Sequence, residues 1–235
     1  MVLIALRNYL KSKGGFVTKE IFRFHADADQ FERFKRDLNA NHEGAKTDDH
    51  HSIANAIKAF YHDLPIKVLN ALTVETIGSV GTEEDVPSVL TLIPEPYRSL
   101  FEWLLDLCVD IVAHSEANKM THRSMAVVLC PSLYDACTST ANEQAKILRA
   151  VMEFTDLAIL WRSQFRAQYP LRNEEEILQD PNTRNLVESK VRKADNVRND
   201  NVPLRPKLCH WKSPKRTITE TNMALNRSVH FLRIR

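Results

Sequence analysis

Tyr97-Arg98-Ser99-Leu100-Phe101-Glu102-Trp103-Leu104-Leu105-Asp106-Leu107-Cys108-Val109-Asp110-Ile111-Val112 is the stretch that decides the fold. Leu100, Trp103, Leu104, Leu107, Cys108, Ile111 and Val112 recur at steps of three and four, which places them on one side of an α-helix running to about His114. Pro94 and Pro96 stand just before it, where a helix is entered rather than continued. A helix this apolar has to be surrounded by other helices, so the run predicts the central core helix of an all-α domain.

The flanking sequence supplies those neighbours. Upstream, Leu3, Leu6 and Leu10, with Ile4 and Tyr9 beside them, predict a first helix that Gly14 stops. Its apolar face begins at the first residue, so it is expected to be entered part-way. Asp27 and Gln30 form a capping pair for a helix carrying Phe31, Phe34 and Leu38, followed by a polar loop over 39–48. Asp49 caps a helix whose Ile53, Ile57, Phe60 and Tyr61 face inward and which ends before Pro65. Thr82 begins another helix with Val86, Val89, Leu90 and Ile93. Downstream, Thr121 caps a short helix holding Met125 and Val128 that Pro131 is expected to terminate. The last strong pattern spans residues 141–164, with Ile147, Leu148, Val151, Phe154, Leu157 and Leu160. About seven helices and almost no strand signal make residues 1–168 a single multi-helix domain.

Composition agrees with that partition. The hydrophobic fraction is 43% and there are only five glycines in 235 residues, too few for a barrel or sandwich rich in tight turns. Four cysteines without a C-x-x-C pair read as reduced thiols of a cytoplasmic protein. No run approaches the length a membrane helix needs, and the first residues lack a signal-peptide pattern because Arg7 interrupts them. Charge is uneven: residues 170–235 hold 14 Lys/Arg against 8 Asp/Glu, while the whole chain carries only +2. Residues 169–235 are therefore expected to form a basic, largely disordered tail. An anionic membrane surface suits such a tail. Nucleic acid is disfavoured, since Trp211 is the tail's one tryptophan and aromatic interleaving is missing.

Familiar catalytic constellations are absent: there is no phosphate-binding loop, no G-x-S-x-G and no H-E-x-x-H. The nine histidines are scattered and suggest no metal site. Attention falls instead on Lys19-Glu20-Ile21-Phe22-Arg23, just after the Gly14-Gly15 pair. Burial of Ile21, Phe22 and Phe24 would fix the backbone and leave the Arg23 guanidinium reaching outward. An arginine in this setting equally well lays its stem along the edge of a core.

Three stretches in order carry a resemblance: Lys19-Glu20-Ile21-Phe22-Arg23, then Ile57-Lys58-Ala59-Phe60-Tyr61-His62-Asp63-Leu64-Pro65, then Asn118-Lys119-Met120-Thr121 with Ser124-Met125-Ala126 and Pro131. Over roughly residues 1–165 the chain resembles the GTPase-activating domain of the RhoGAP family. Asp49-x-His51 and the passage from Leu72-Thr73 to Thr82-Glu83-Glu84-Asp85 look like its plant Rop-GAP branch, without the CRIB-type segment that accompanies that branch.

The resemblance implies that Arg23 is an arginine finger inserted in trans into a Rho-family small GTPase of Rho, Rac, Cdc42 or Rop type. It implies that Lys58 steadies the finger loop, and that Lys58, His62, Asn118 and Ser124 belong to the partner-binding set, with Asn118 better suited to organising its turn. GTP and Mg²⁺ would belong to the partner, so the chain itself would be an activator in signal transduction with no cofactor of its own. It would work in the cytoplasm, or peripherally at membranes. His62 stands where the family usually has an arginine, and Ser124 and Ser132 stand where it usually has asparagines. Shorter, less charged groups at the contact surface leave a second expectation open, a GTPase-binding scaffold on the same fold.

Overall fold

In the computed structural model, residues 2–40, 45–136 and 140–169 are described. The helices are α1 (Val2–Ser12), α2 (Ala28–Ala40), α3 (His50–His62), α4 (Val74–Gly78), α5 (Val86–Leu90), α6 (Tyr97–Val112), α7 (Ser115–Asn118), α8 (His122–Leu133) and α9 (Ala141–Gln168). Short 3-10 turns occupy Gly15–Val17 and Glu83–Asp85, and no strand occurs among the described residues. The expected basic tail lies, Tyr169 apart, outside the described residues, as do Cys137 and Cys209.

Helix α6 lies in the core as its periodicity predicts. Phe101, Leu104, Leu105, Leu107, Cys108 and Ile111 are buried, while Leu100, Trp103 and Val112 sit half-buried at its edges. Three polar ties fix neighbouring helices to it. The fully buried Tyr61 of α3 donates its hydroxyl to the Leu100 carbonyl at 2.8 Å. Arg7 of α1 pairs with Asp110. Arg162 of α9 grips Asp106 with two hydrogen bonds of 2.9 and 2.8 Å. That forked geometry is what a planar guanidinium offers a carboxylate. Helix α3 in turn packs against α1, α2 and α8, so it joins the first two helices to α8.

Helix boundaries follow the expected local chemistry in most places. Asp49 accepts from the backbone N–H groups of His51 and Ser52 at 3.1 and 3.0 Å. Asp27 accepts from Gln30 N–H at 3.0 Å, and Thr121 from Ser124 N–H at 3.2 Å. The segment opened by Thr82 starts as a 3-10 turn closed by a Thr82–Asp85 capping box before α5 follows.

Three expectations need correction, and two short helices had no expectation. Pro131 does not end its helix: α8 continues to Leu133. The hydrogen bond that proline removes would have gone to the carbonyl of Val127, an exposed residue, where water can replace the missing donor. Helix α2 runs on to Ala40, into the start of the polar loop expected over 39–48. The inner face of α9 is rotated from the expected one, burying Val151, Phe154, Thr155, Ala158 and Ile159, with Ile147, Leu148, Leu157 and Leu160 only half-buried. Thr155 is accommodated there because its hydroxyl donates to the Val151 carbonyl at 2.7 Å. Finally, α4 and α7 are single-turn helices too short to show a period.

Candidate functional site

The segment between α1 and α2 is shaped by its two glycines. Gly14 leaves α1 in the left-handed region at φ 74, which glycine enters without steric cost. Gly15 lies so close beneath α1 that a Cβ would stand 2.2 Å from Leu10 Cδ1 and 2.9 Å from the Leu10 carbonyl oxygen. The following residues make tight turns. Ile21 N–H donates to Thr18 O at 3.2 Å, and the Glu20 carbonyl accepts from both Arg23 and Phe24, at 2.9 and 3.2 Å.

Two residues of this loop, Glu20 (φ 52) and Phe22 (φ 70), adopt left-handed backbone conformations without being glycine. Such conformations cost roughly 1–3 kcal/mol each. Ile21 and Phe22 are completely buried, and each such burial contributes about 1.5–3 kcal/mol. The two effects are of similar size, so the conformation depends on additional anchors.

Those anchors come from the other two motifs. Lys58, on α3, donates from Nζ to the Phe22 carbonyl at 2.7 Å. Burial pushes the Lys58 ammonium below its ordinary pKa, because a charged group is disfavoured away from water. Asn118, at the end of α7, is completely buried. Its Nδ2 donates to the carbonyls of Phe16 and Ile111, both at 2.7 Å, and its Oδ1 accepts from Met120 N–H at 2.7 Å. Its own carbonyl accepts from Glu20 N–H at 2.6 Å. Asn118 therefore ties the 3-10 turn, α6 and the Arg23 loop together. Its place in the partner-binding set is corrected on this ground: no surface of it remains for a partner. Lys119, next in sequence, reverses the chain with φ 61.

Arg23 emerges from this clamp with its side chain 48% exposed, and Nη1 donates to Glu20 Oε1 at 3.0 Å. Phe24, expected to be buried with Ile21 and Phe22, is instead half-exposed, and its ring centroid lies 6.0 Å from that of His51. An open groove runs beside α3, lined by His25, Phe31, Asn55, Lys58, His62 and Ser132 among others. The structure thus brings Lys58, His62 and Ser132 together. Ser124 is not among the groove residues; it belongs to the N-terminal cap of α8, its hydroxyl 3.1 Å from that of Thr121.

Asn55 was missed from sequence, although it precedes Lys58 by three residues and His62 by seven and so shares their face. Its Oδ1 is shielded from water with no hydrogen-bond partner among the described residues. Both described cysteines are buried, and burial pushes the Cys130 thiol up to about 11, away from nucleophilic chemistry. No group of three His, Cys, Asp or Glu is placed to hold a metal ion among the described residues. The arrangement presents one guanidinium on a clamped loop beside a groove, a geometry for placing positive charge on a docked molecule.

A family model for the RhoGAP domain matches residues 1–138, a span that includes Arg23, Lys58, His62, Asn118 and Ser124. The chain belongs to the RhoGAP family. Among its relatives, the Rho GTPase-activating protein gacA of Dictyostelium discoideum is 32% identical over 154 residues, covering 65% of this chain and 45% of that protein. Rho GTPase-activating protein 3 of Arabidopsis thaliana is 32% identical over 161 residues, covering 68% of this chain and 34% of that protein. The RhoGAP chain described here thus spans between a third and a half of these relatives. Two crystal structures share its fold. The BH domain of Graf, the GTPase regulator associated with focal adhesion kinase, aligns with a TM-score of 0.58 at 14% identity, over 69% of this chain and 91% of that one. Human Rho GTPase activating protein 15 aligns with a TM-score of 0.56 at 21% identity, over 72% and 81%.

Proposed function

We propose that this chain accelerates GTP hydrolysis by a Rho-family small GTPase, with Arg23 inserted in trans as an arginine finger. The observation that carries this reading is the clamped loop: Lys58 and Asn118 hold the backbone at Phe22 and Glu20, just before Arg23, whose guanidinium is left half-exposed. Phosphoryl transfer spreads negative charge over the γ-phosphate oxygens, and little covalent chemistry is asked of the protein. A rigid, planar, always-charged fork placed there as water is excluded stabilises that charge. A loop fixed before docking brings the guanidinium to the phosphates without reordering the backbone. The nucleotide and Mg²⁺ sit on the partner, so the chain acts as an activator rather than a hydrolase, in small-GTPase signalling in the cytoplasm. The groove lined by Asn55, Lys58, His62 and Ser132 receives the partner's surface.

Single-turnover hydrolysis by a panel of Rho-family GTPases, with and without this chain, tests the reading. Stimulation of at least one is expected, and Arg23→Ala should lower it by roughly 10³-fold or more. A flat rate across the panel would overturn the proposal. A GTPase-binding scaffold on the same fold is the second reading, favoured by Ser124 being turned into its own helix cap. Binding with flat hydrolysis would establish it.

A further inference from the structure

We infer that Glu20 is a built-in brake on the arginine finger, a conclusion that rests on the activating role proposed for Arg23. Three features of the loop point to it. First, Glu20 places a negative charge within hydrogen-bond distance of the finger, with Oε1 3.0 Å from Arg23 Nη1. Second, the Glu20 side chain is only 20% exposed against 48% for Arg23. The carboxylate is the anchored member of the pair and the guanidinium the movable one. Third, the carboxylate is held by a backbone that cannot easily turn away. Glu20 sits at φ 52, its N–H is bound to the carbonyl of the buried Asn118 at 2.6 Å, and its own carbonyl accepts from Arg23 and Phe24. Glycine adopts this conformation freely, whereas a glutamate here accepts strain. No backbone requirement calls for a carboxylate at this position.

The consequence is competition between two anions for one guanidinium. To reach a γ-phosphate, Arg23 has to leave Glu20, and the carboxylate left behind stays within the same loop. There it faces the negative charge that develops in the transition state. Glu20 therefore opposes the chemical step more than docking, and its removal raises the maximal rate rather than the affinity.

The test measures GTP hydrolysis by a responsive Rho-family GTPase over a range of concentrations of the chain. Wild type, Glu20→Gln, Glu20→Gly and Arg23→Ala with and without Glu20→Gln are compared. Glu20→Gln keeps size and backbone while removing the charge; Glu20→Gly suits the left-handed backbone, so poor folding of one variant does not decide the result. Separating an exposed ion pair corresponds to about a 1.5- to 5-fold effect. Both single variants are expected to raise the maximal rate by that factor with the half-maximal concentration little changed, and Glu20→Gln should be silent in the Arg23→Ala background. Maximal rates equal to or below an active wild type would overturn the brake and leave the activating role standing. So would an equal gain with Arg23 absent. Silence of wild type and both Glu20 variants on every GTPase would overturn the activating role and the brake together. Activity of the variants alone would establish the brake in its strongest form.

Discussion

Replacing Lys58 by methionine isolates the hydrogen bond that connects α3 to the Arg23 loop. Methionine keeps an unbranched stem of similar length along the groove wall but has no donor, so the Phe22 carbonyl loses the ammonium 2.7 Å away. A hydrogen bond with a charged member contributes about 1.5–3 kcal/mol. The left-handed conformation of Phe22 works against the loop by a comparable roughly 1–3 kcal/mol. Removing the bond therefore leaves that strain uncompensated and tips the loop towards alternatives to its clamped form. At 1.36 kcal/mol per factor of ten, stimulation should fall by about 10- to 100-fold. The domain itself should remain folded, since a domain's total stability is commonly about 5–15 kcal/mol. Two measurements check this independently of any GTPase: the urea midpoint should drop, and hydrogen exchange at the Arg23 and Phe24 amides, both bound to the Glu20 carbonyl, should quicken. Unchanged exchange at these amides together with unchanged stimulation would refute the idea that Lys58 holds the loop.

Asn118→Ala should be among the most damaging substitutions. It strands the Phe16 carbonyl and the Met120 N–H, while the Ile111 carbonyl keeps the His114 amide; each unsatisfied group costs about 1–3 kcal/mol, so urea unfolding should register a loss of at least about 2 kcal/mol. A loss below 1 kcal/mol would contradict the network described. Alkaline pH should also unfold the domain early. Burial raises the thiols of Cys108 and Cys130 above their ordinary 9.0 and the Tyr61 hydroxyl above its ordinary 10.0. The folded state keeps protons there that the unfolded state releases. Stability is thus full below pH 9 and declines above it, by about 1.4 kcal/mol per pH unit for each thiol. Lys58 works in the opposite sense just below its ordinary 10.5, because its pKa is lowered in the fold. Denaturant midpoints should therefore fall between pH 9 and 10, and Cys108→Ala with Cys130→Ala should flatten the slope.

Much of the helical architecture was legible from side-chain periodicity and capping chemistry. Helix α6 is the clearest case, since Leu104, Leu107, Cys108 and Ile111 needed only a period and a position between prolines to be placed in the core. Helix α9 shows where the same reasoning fails. Its apolar residues are spread around the helix, and the buried face was selected by what α6 offers, the Phe101 ring stacked on Phe154 and Asp106 gripping Arg162. Pro131 shows a second kind of failure, because whether a proline ends a helix depends on whether water reaches the carbonyl it leaves unpaired.

For the site, sequence alone picked out residues that the fold brings to one loop, because three separated motifs in order point to Arg23, Lys58 and the Asn118 turn. It could not determine what each residue does. The resemblance implied that Lys58 steadies the loop, but only the structure shows how, with its ammonium on the Phe22 carbonyl. Asn118 stood in the partner-binding set, though better suited to organising its turn, and burial turns its side-chain polar atoms inward. Phe24 was expected in the core and is half-exposed. The physical reason is common to all three: hydrogen bonds and burial are relations between residues tens of positions apart, and only packing α3 and α7 against the loop creates them. The tertiary structure also exposed the one feature that no pattern in the chain foretold, a strained glutamate holding the arginine it sits beside.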